Sequence, residues 1–213
     1  MGGHTVTKKL TSYEDMNLQE LDVMKEISSI GTSHAATALS KLLQKEVRIS
    51  IPEVSVLGYD ETVSRIGDIE ELVTATLVRM SNEVDGLMLF IFKLDLANVV
   101  LEKLIGRSYD SFEQMDELDY SALEEVGNII ICSYVNAFTQ LVGVEIDLSV
   151  PSSTLNMLGG ILTVPMAEYG YETDKLMYIN AEFIMDGKKL SDGLLMLPDI
   201  ASLNSILGKL GVL

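Results

Sequence analysis

From Asn17 to about Leu43, and again from about Asp116 to Leu141, apolar residues recur every three or four positions with no proline, which predicts two long helices. Each runs into a segment of alternating polar and apolar residues, Glu46-Val-Arg-Ile-Ser-Ile51 and Glu145-Ile-Asp-Leu-Ser-Val150. A proline follows in both places, so each segment predicts a strand whose ladder the proline stops. Further runs predict strands at Glu71 to Met80, Gly86 to Phe92, Ile161 to Pro165, Leu176 to Met185 and Gly193 to Leu197. Amphipathic stretches at Leu94 to Leu104 and Asp199 to Leu210 predict a shorter helix closing each half. Asp85-Gly86 and Asp192-Gly193 read as turns that precede a strand.

The two halves are copies. At an offset of 99 the long segments correspond without a gap from Asp22/Ser121 to Pro52/Pro151, with Glu26/Glu125, Ile30/Ile129, Ala38/Ala137, Leu42/Leu141, Ser50/Ser149 and the prolines identical. A second echo, Asp85-Gly86-Leu87 against Asp192-Gly193-Leu194 and Asn98 to Leu104 against Asn204 to Leu210, falls at an offset of about 106. That period exceeds the roughly 20 to 50 residues of a solenoid repeat and fits a duplicated half-domain. Alone, each half would have a marginal core and open sheet edges. The expectation is one α+β domain over residues 16–213, built from a pseudo-two-fold duplicated unit. Its repeats would cover about 16–110 and 111–213, with a continuous antiparallel-rich sheet and the two long helices on one face. The acidic stretch Tyr109 to Glu117 is the expected hinge between copies, and the polar residues 1–15 are expected to be a flexible segment outside the fold.

The charge balance narrows the partners. With 32 acidic against 15 basic side chains and a net charge of -17, the average field repels phosphate backbones and anionic lipid, so nucleic acid and membrane are not expected partners. No run reaches the roughly 18 to 20 apolar residues of a membrane span, and the start lacks a signal-peptide core, so a cytoplasmic protein is expected. The single cysteine, Cys132, lies in an apolar run and reads as a buried thiol in a reducing compartment. One cysteine and two histidines leave little material for a soft-ligand metal site, and no metal of its own is expected.

At 100° per residue, Ser121, Glu125, Asn128, Cys132, Asn136 and Thr139 fall within about 60° of one direction on the second long helix. The first helix carries Asp22, Glu26, Ser29, Ser33, Thr37 and Ser40 in the same way. The other faces are apolar, so each stripe is the side of a packed helix left to water. Such a Glu and Asn commonly do no more than solvate a helix edge.

The order Ser121, Glu125, Asn128 and then Pro151, with the degraded Asp22, Glu26, Ser29 and Pro52, resembles the active-site signature of the CheC-type chemotaxis phosphatases (the CheC/CheX/FliY family). The stretch Lys25 to Ser40 resembles the helix that opens such proteins. The resemblance implies a phosphatase that hydrolyses the aspartyl phosphate of a CheY-like response regulator, with Glu125 and Asn128 as catalytic pair and Glu26 and Ser29 as a second. Asn128 would orient the attacking water, Glu125 would dock a lysine of the regulator, and Ser121 and Asp22 would touch the regulator's loop. The regulator would bring the divalent metal, and the deamidase CheD is an implied partner. The first copy departs from the pattern: Ser29 stands for Asn, and His34 where another Asn is common, so that face is expected to bind more than to catalyse. The alternative is a non-catalytic, regulator-binding scaffold or flagellar switch-like module.

Overall fold

The computed structural model describes residues 9–170 and 174–213. The first half runs α1 (Leu18–Leu43), β1 (Val47–Ile49), β2 (Glu53–Gly58), α2 (Tyr59–Ile66), β3 (Leu72–Asn82), β4 (Gly86–Phe92) and α3 (Leu94–Ile105). The second repeats that order as α4 (Glu117–Val142), β5 (Ile146–Leu148), β6 (Ser152–Met157), α5 (Leu158–Tyr169), β7 (Lys175–Met185), β8 (Lys188–Pro198) and α6 (Ile200–Lys209).

Both long helices begin on a capping box. Asn17 accepts from the amides of Gln19 and Glu20 while the Glu20 carboxylate accepts from the Asn17 amide, and Asp116 with Asp119 repeats the arrangement. Both stop in the left-handed region, at Gln44 (φ 51°) and Gly143 (φ 69°), which turns the chain back onto the sheet. A short 3-10 turn with a buried aromatic residue precedes each, Tyr13–Asp15 and Phe112–Gln114. The packed structure therefore starts before residue 16: Leu10 and Tyr13 are buried, and the Tyr13 hydroxyl donates to the Pro198 carbonyl. The expected hinge is instead clamped onto α4, where the Tyr109 hydroxyl donates to buried Asp119 at 2.7 Å and Arg107 pairs with Asp116 and Asp119.

Every strand pair is antiparallel, in one sheet ordered β1-β7-β8-β4-β3-β5, with β2 also on β7 and β6 also on β3. Each copy forms its own hairpin, β3 with β4 and β7 with β8, but its two leading strands cross to the hairpin of the other copy. The seam at the centre is β4 against β8, and β4 is buried along its whole length. Neither half could close its sheet alone.

The prolines interrupt the ladder without ending it. Beyond Pro52 and Pro151 the chain resumes as β2 and β6, which sequence alternation did not resolve. The gap is bridged by the identical serines: Ser50 donates its amide to Glu182 O and accepts from the Glu182 amide, and Ser149 does the same with Arg79. Register then fixes which residues are equivalent. One row across the sheet reads Val54, Ile179, Leu194, Phe90, Thr76, Ser153, so Thr76 matches Ile179 and Phe90 matches Leu194, offsets of 103 and 104. The Asp85-Gly86 and Asp192-Gly193 echo is therefore out of register. Asp192 sits inside β8 opposite Ala181, and the β7–β8 turn is Asp186-Gly187, both at positive φ.

The run Ile161 to Pro165, expected as a strand, lies within helix α5. Leu158, Ile161, Leu162 and Pro165 are buried at helical spacing, a pattern obscured by the neighbouring Gly159-Gly160 and by a proline in the helix interior. α2 and α5 meet on the sheet face opposite the long helices. Tyr59 of α2 donates to Gly159 O at 2.9 Å, and Ile66 lies over Gly193.

On the other face α1 and α4 pack against each other and onto the sheet. Gly31 makes the close approach possible, since a Cβ there would sit 2.9 Å from Tyr134 Cα. The Thr32 and Tyr134 hydroxyls share a buried hydrogen bond of 2.6 Å, and burial pushes the Tyr134 phenol up to about 12. Ile130 and Tyr134 of α4 face Phe90, Ile179, Phe183 and Leu194 of the sheet. Among the described residues no helix is long and apolar enough to cross a membrane.

Candidate functional site

Packing fixes which side of α4 remains for chemistry. Leu123, Val126, Ile130, Ile131, Val135 and Phe138 are buried, and Gly127 lies so close to the sheet that a Cβ would meet Thr76 Oγ1 at 2.4 Å. With those directions consumed, Ser121, Glu125 and Asn136 are exposed and Asn128, Cys132 and Thr139 are half-buried. On α1, Asp22, Glu26, Ser33 and Thr37 are exposed and Ser29 and Ser40 half-buried. Both predicted stripes are thus surface features of rigid helices. Of the two signature prolines, Pro52 is buried and Pro151 half-buried.

The two stripes differ in which polar atoms the fold has already used. On α1 the hydroxyls fold back on the helix: Ser29 donates to Lys25 O, Ser33 to Ser29 O and Thr37 to Ser33 O, each at 2.9 Å. On α4, Ser121 does likewise with Glu117 O at 2.8 Å. Asn128 does not. Its carboxamide oxygen accepts a 3.5 Å bond from the Cys132 thiol, and among the described residues its NH2 group has no protein partner. One lone pair of the oxygen and both N–H donors are left without a partner among the described residues.

Neither Glu125 nor Glu26 has an ion-pair partner among the described residues, although most lysines and arginines of the fold are engaged elsewhere. An unpaired carboxylate one turn from an under-used carboxamide is an arrangement able to receive a cation and a polar group from outside. Cys132, read from sequence as a buried thiol, is half-buried on the stripe; burial, and secondarily the Glu125 charge, hold its titration above the ordinary thiol range. Its position four residues after Asn128 was the available signal that it belongs to the site.

The stripe is the side of α4 left over once its other faces pack. A cleft of about 500 Å³ does lie between α3 and the β7–β8 hairpin, lined by Asp95, Asn98, Glu102 and Lys189, but it contains none of the stripe residues. A small-molecule substrate needs enclosure that this surface does not give, whereas a protein partner that brings its own pocket does not. Among the described residues no group of three or more histidine, cysteine or carboxylate side chains could hold a metal ion.

The sequence model of the CheC-like family matches residues 20–56 and 120–155, one segment in each copy, which take in most of each long helix and the strands that follow it. It is 26% identical over 206 residues to the CheY-P phosphatase CheC of Bacillus subtilis, covering 95% of this chain and 99% of that protein. It is 27% identical over 145 residues to the flagellar motor switch phosphatase FliY of the same organism, covering 67% of this chain and 37% of that longer protein. Among solved structures the fold matches Thermotoga maritima FliY with a TM-score of 0.72 at 20% identity, covering 92% and 98% of the two chains. It also matches a chain of the FliG–FliM complex of H. pylori with a TM-score of 0.70 at 12% identity, covering 89% and 100%.

Proposed function

We propose that this protein hydrolyses the aspartyl phosphate of a CheY-like response regulator, laying the α4 stripe across the regulator's phosphorylated site. The observation that carries the reading is the Asn128 carboxamide, held one turn from an unpaired Glu125 on the exposed edge of a packed helix, with donors and a lone pair unspent. Likeness to a CheY-P phosphatase along 95% of the chain supports the same reaction class.

The regulator supplies the phosphoryl group and the divalent metal that neutralises it; this chain supplies position. Glu125 pairs with a lysine of the regulator and sets the angle of approach. The Asn128 oxygen accepts a hydrogen bond from a water and aims the water's lone pair at phosphorus. Attack forms the new P–O bond as the bond to the aspartate oxygen breaks, releasing inorganic phosphate and the free carboxylate. An amide is a negligible base at neutral pH, so the water's proton leaves to a phosphoryl oxygen or to solvent and Asn128 only orients. On α1 the Ser29 hydroxyl is shorter and already bonded to Lys25 O, so that face docks a regulator without aligning water. CheD is proposed as a further partner on the family resemblance alone.

Decay of a phosphorylated regulator, with and without the protein, tests the reading. Asn128→Ala is expected to lose on the order of a hundredfold of the acceleration while binding persists; turnover at the unaltered rate would remove the assignment. A docking module without chemistry is the second reading, favoured by the shared fold with the H. pylori FliG–FliM chain, and it requires no acceleration at all.

A further inference from the structure

We propose that Cys132 is a positioning residue of the α4 site, whose thiol orients the Asn128 carboxamide. This rests on the reading of Asn128 given above. The bond itself is the first observation: the Cys132 thiol donates to Asn128 Oδ1 at 3.5 Å, one helical turn away, so one lone pair of the amide oxygen is held by the thiol and the other is left for the water. An asparagine free to rotate about its last torsion would present oxygen and nitrogen alternately to the docked partner, and only one of the two orders can accept a hydrogen bond from water at a given place.

The second observation concerns why a thiol stands here and not a hydroxyl. Serine and threonine hydroxyls along α1 and α4 turn back to the carbonyl four residues earlier, as Ser29, Ser33, Thr37, Ser121 and Ser133 do. At the position equivalent to Cys132, an offset of 99 earlier, the first copy has Ser33, and its hydroxyl is consumed by Ser29 O at 2.9 Å. Sulfur, on a longer bond and a weaker donor, leaves the main-chain carbonyl and reaches the neighbouring side chain instead. Its half-burial and the charge of Glu125 keep it protonated, which is the state able to donate.

Two measurements decide it. This is the only cysteine of the chain, so its S–H stretch can be read by infrared spectroscopy without labelling. The band is expected below the free-thiol position in the intact protein and to move up in Asn128→Ala; a band that does not move removes the hydrogen bond and the proposal with it. In regulator dephosphorylation, Cys132→Val and Cys132→Ser are both expected to lower kcat about three- to tenfold with KM within about twofold. Unchanged kcat in both variants, or a loss confined to KM, would make the thiol a packing or contact residue and overturn the assignment. Failure of the phosphatase reading looks different: Asn128→Ala would then turn over at the unaltered rate while the S–H band still shifted. As a gain-of-function arm, Ser29→Asn with Ser33→Cys in an Asn128→Ala background is expected to outpace Ser29→Asn alone by a similar factor, and equal rates count against positioning.

Discussion

The faces of α1 and α4 share a capping box, a left-handed stop, a buried side and a glutamate in register, yet they differ in what their polar atoms are free to do. On α1 the hydroxyls of Ser29, Ser33 and Thr37 are spent on the helix's own carbonyls; on α4 Asn128 keeps its NH2 and a lone pair for a partner. The backbone is the same device twice. On the proposed reading, reactivity is separated from scaffold by one side chain longer than serine and with donors left over.

If that difference is the whole of the functional asymmetry, exchanging residues should exchange behaviour. The largest effect is expected from Asn128→Ser, which makes α4 resemble α1 and should cost on the order of a hundredfold in regulator dephosphorylation. Next, Ser29→Asn in a chain carrying Asn128→Ala should restore about a tenth of the lost rate, measured by the same decay; no recovery would mean that α1 differs by more than its missing amide. The glutamates should part company on affinity: Glu125→Ala is expected to raise KM for phosphorylated regulator about tenfold, the scale of a lost charge-assisted hydrogen bond. Glu26→Ala should change the rate by less than about twofold, and equal losses would erase the asymmetry. The smallest effect probes the shared scaffold. Asn17→Ala should lower unfolding free energy by about 1 kcal/mol by urea denaturation, and Asp116→Ala by somewhat more, because Asp116 also pairs with Arg107.

The legible parts of this protein were those with short-range causes. Both long helices, their approximate ends, the offset of 99 and the polar stripes followed from spacing and the absence of proline, and β3, β4 and β7 fell within a few residues of the expected places. The α5 helix was misread because Gly159, Gly160 and Pro165 mask a helical burial pattern. The β8 echo misled because three-residue likeness between apolar strands carries no register; backbone pairing of Phe90 with Leu194 and Leu194 with Ile179 does. Of the candidate site, the shared helix face of Glu125 and Asn128 was visible as a spacing, whereas the bond from Cys132 depends on side-chain direction that spacing does not give.

By itself, the order of residues determined that there would be two equivalent helices, each buried on most sides with a glutamate on the side left over, because helix formation and amphipathicity depend on neighbours three and four positions away. Only the tertiary structure decided that β1 and β2 complete the hairpin of β7 and β8 while β5 and β6 complete that of β3 and β4, making two copies into one sheet. That choice rests on hydrogen bonds between segments such as Ser50 and Glu182, far apart along the chain, and on burying edges that neither half could cover alone.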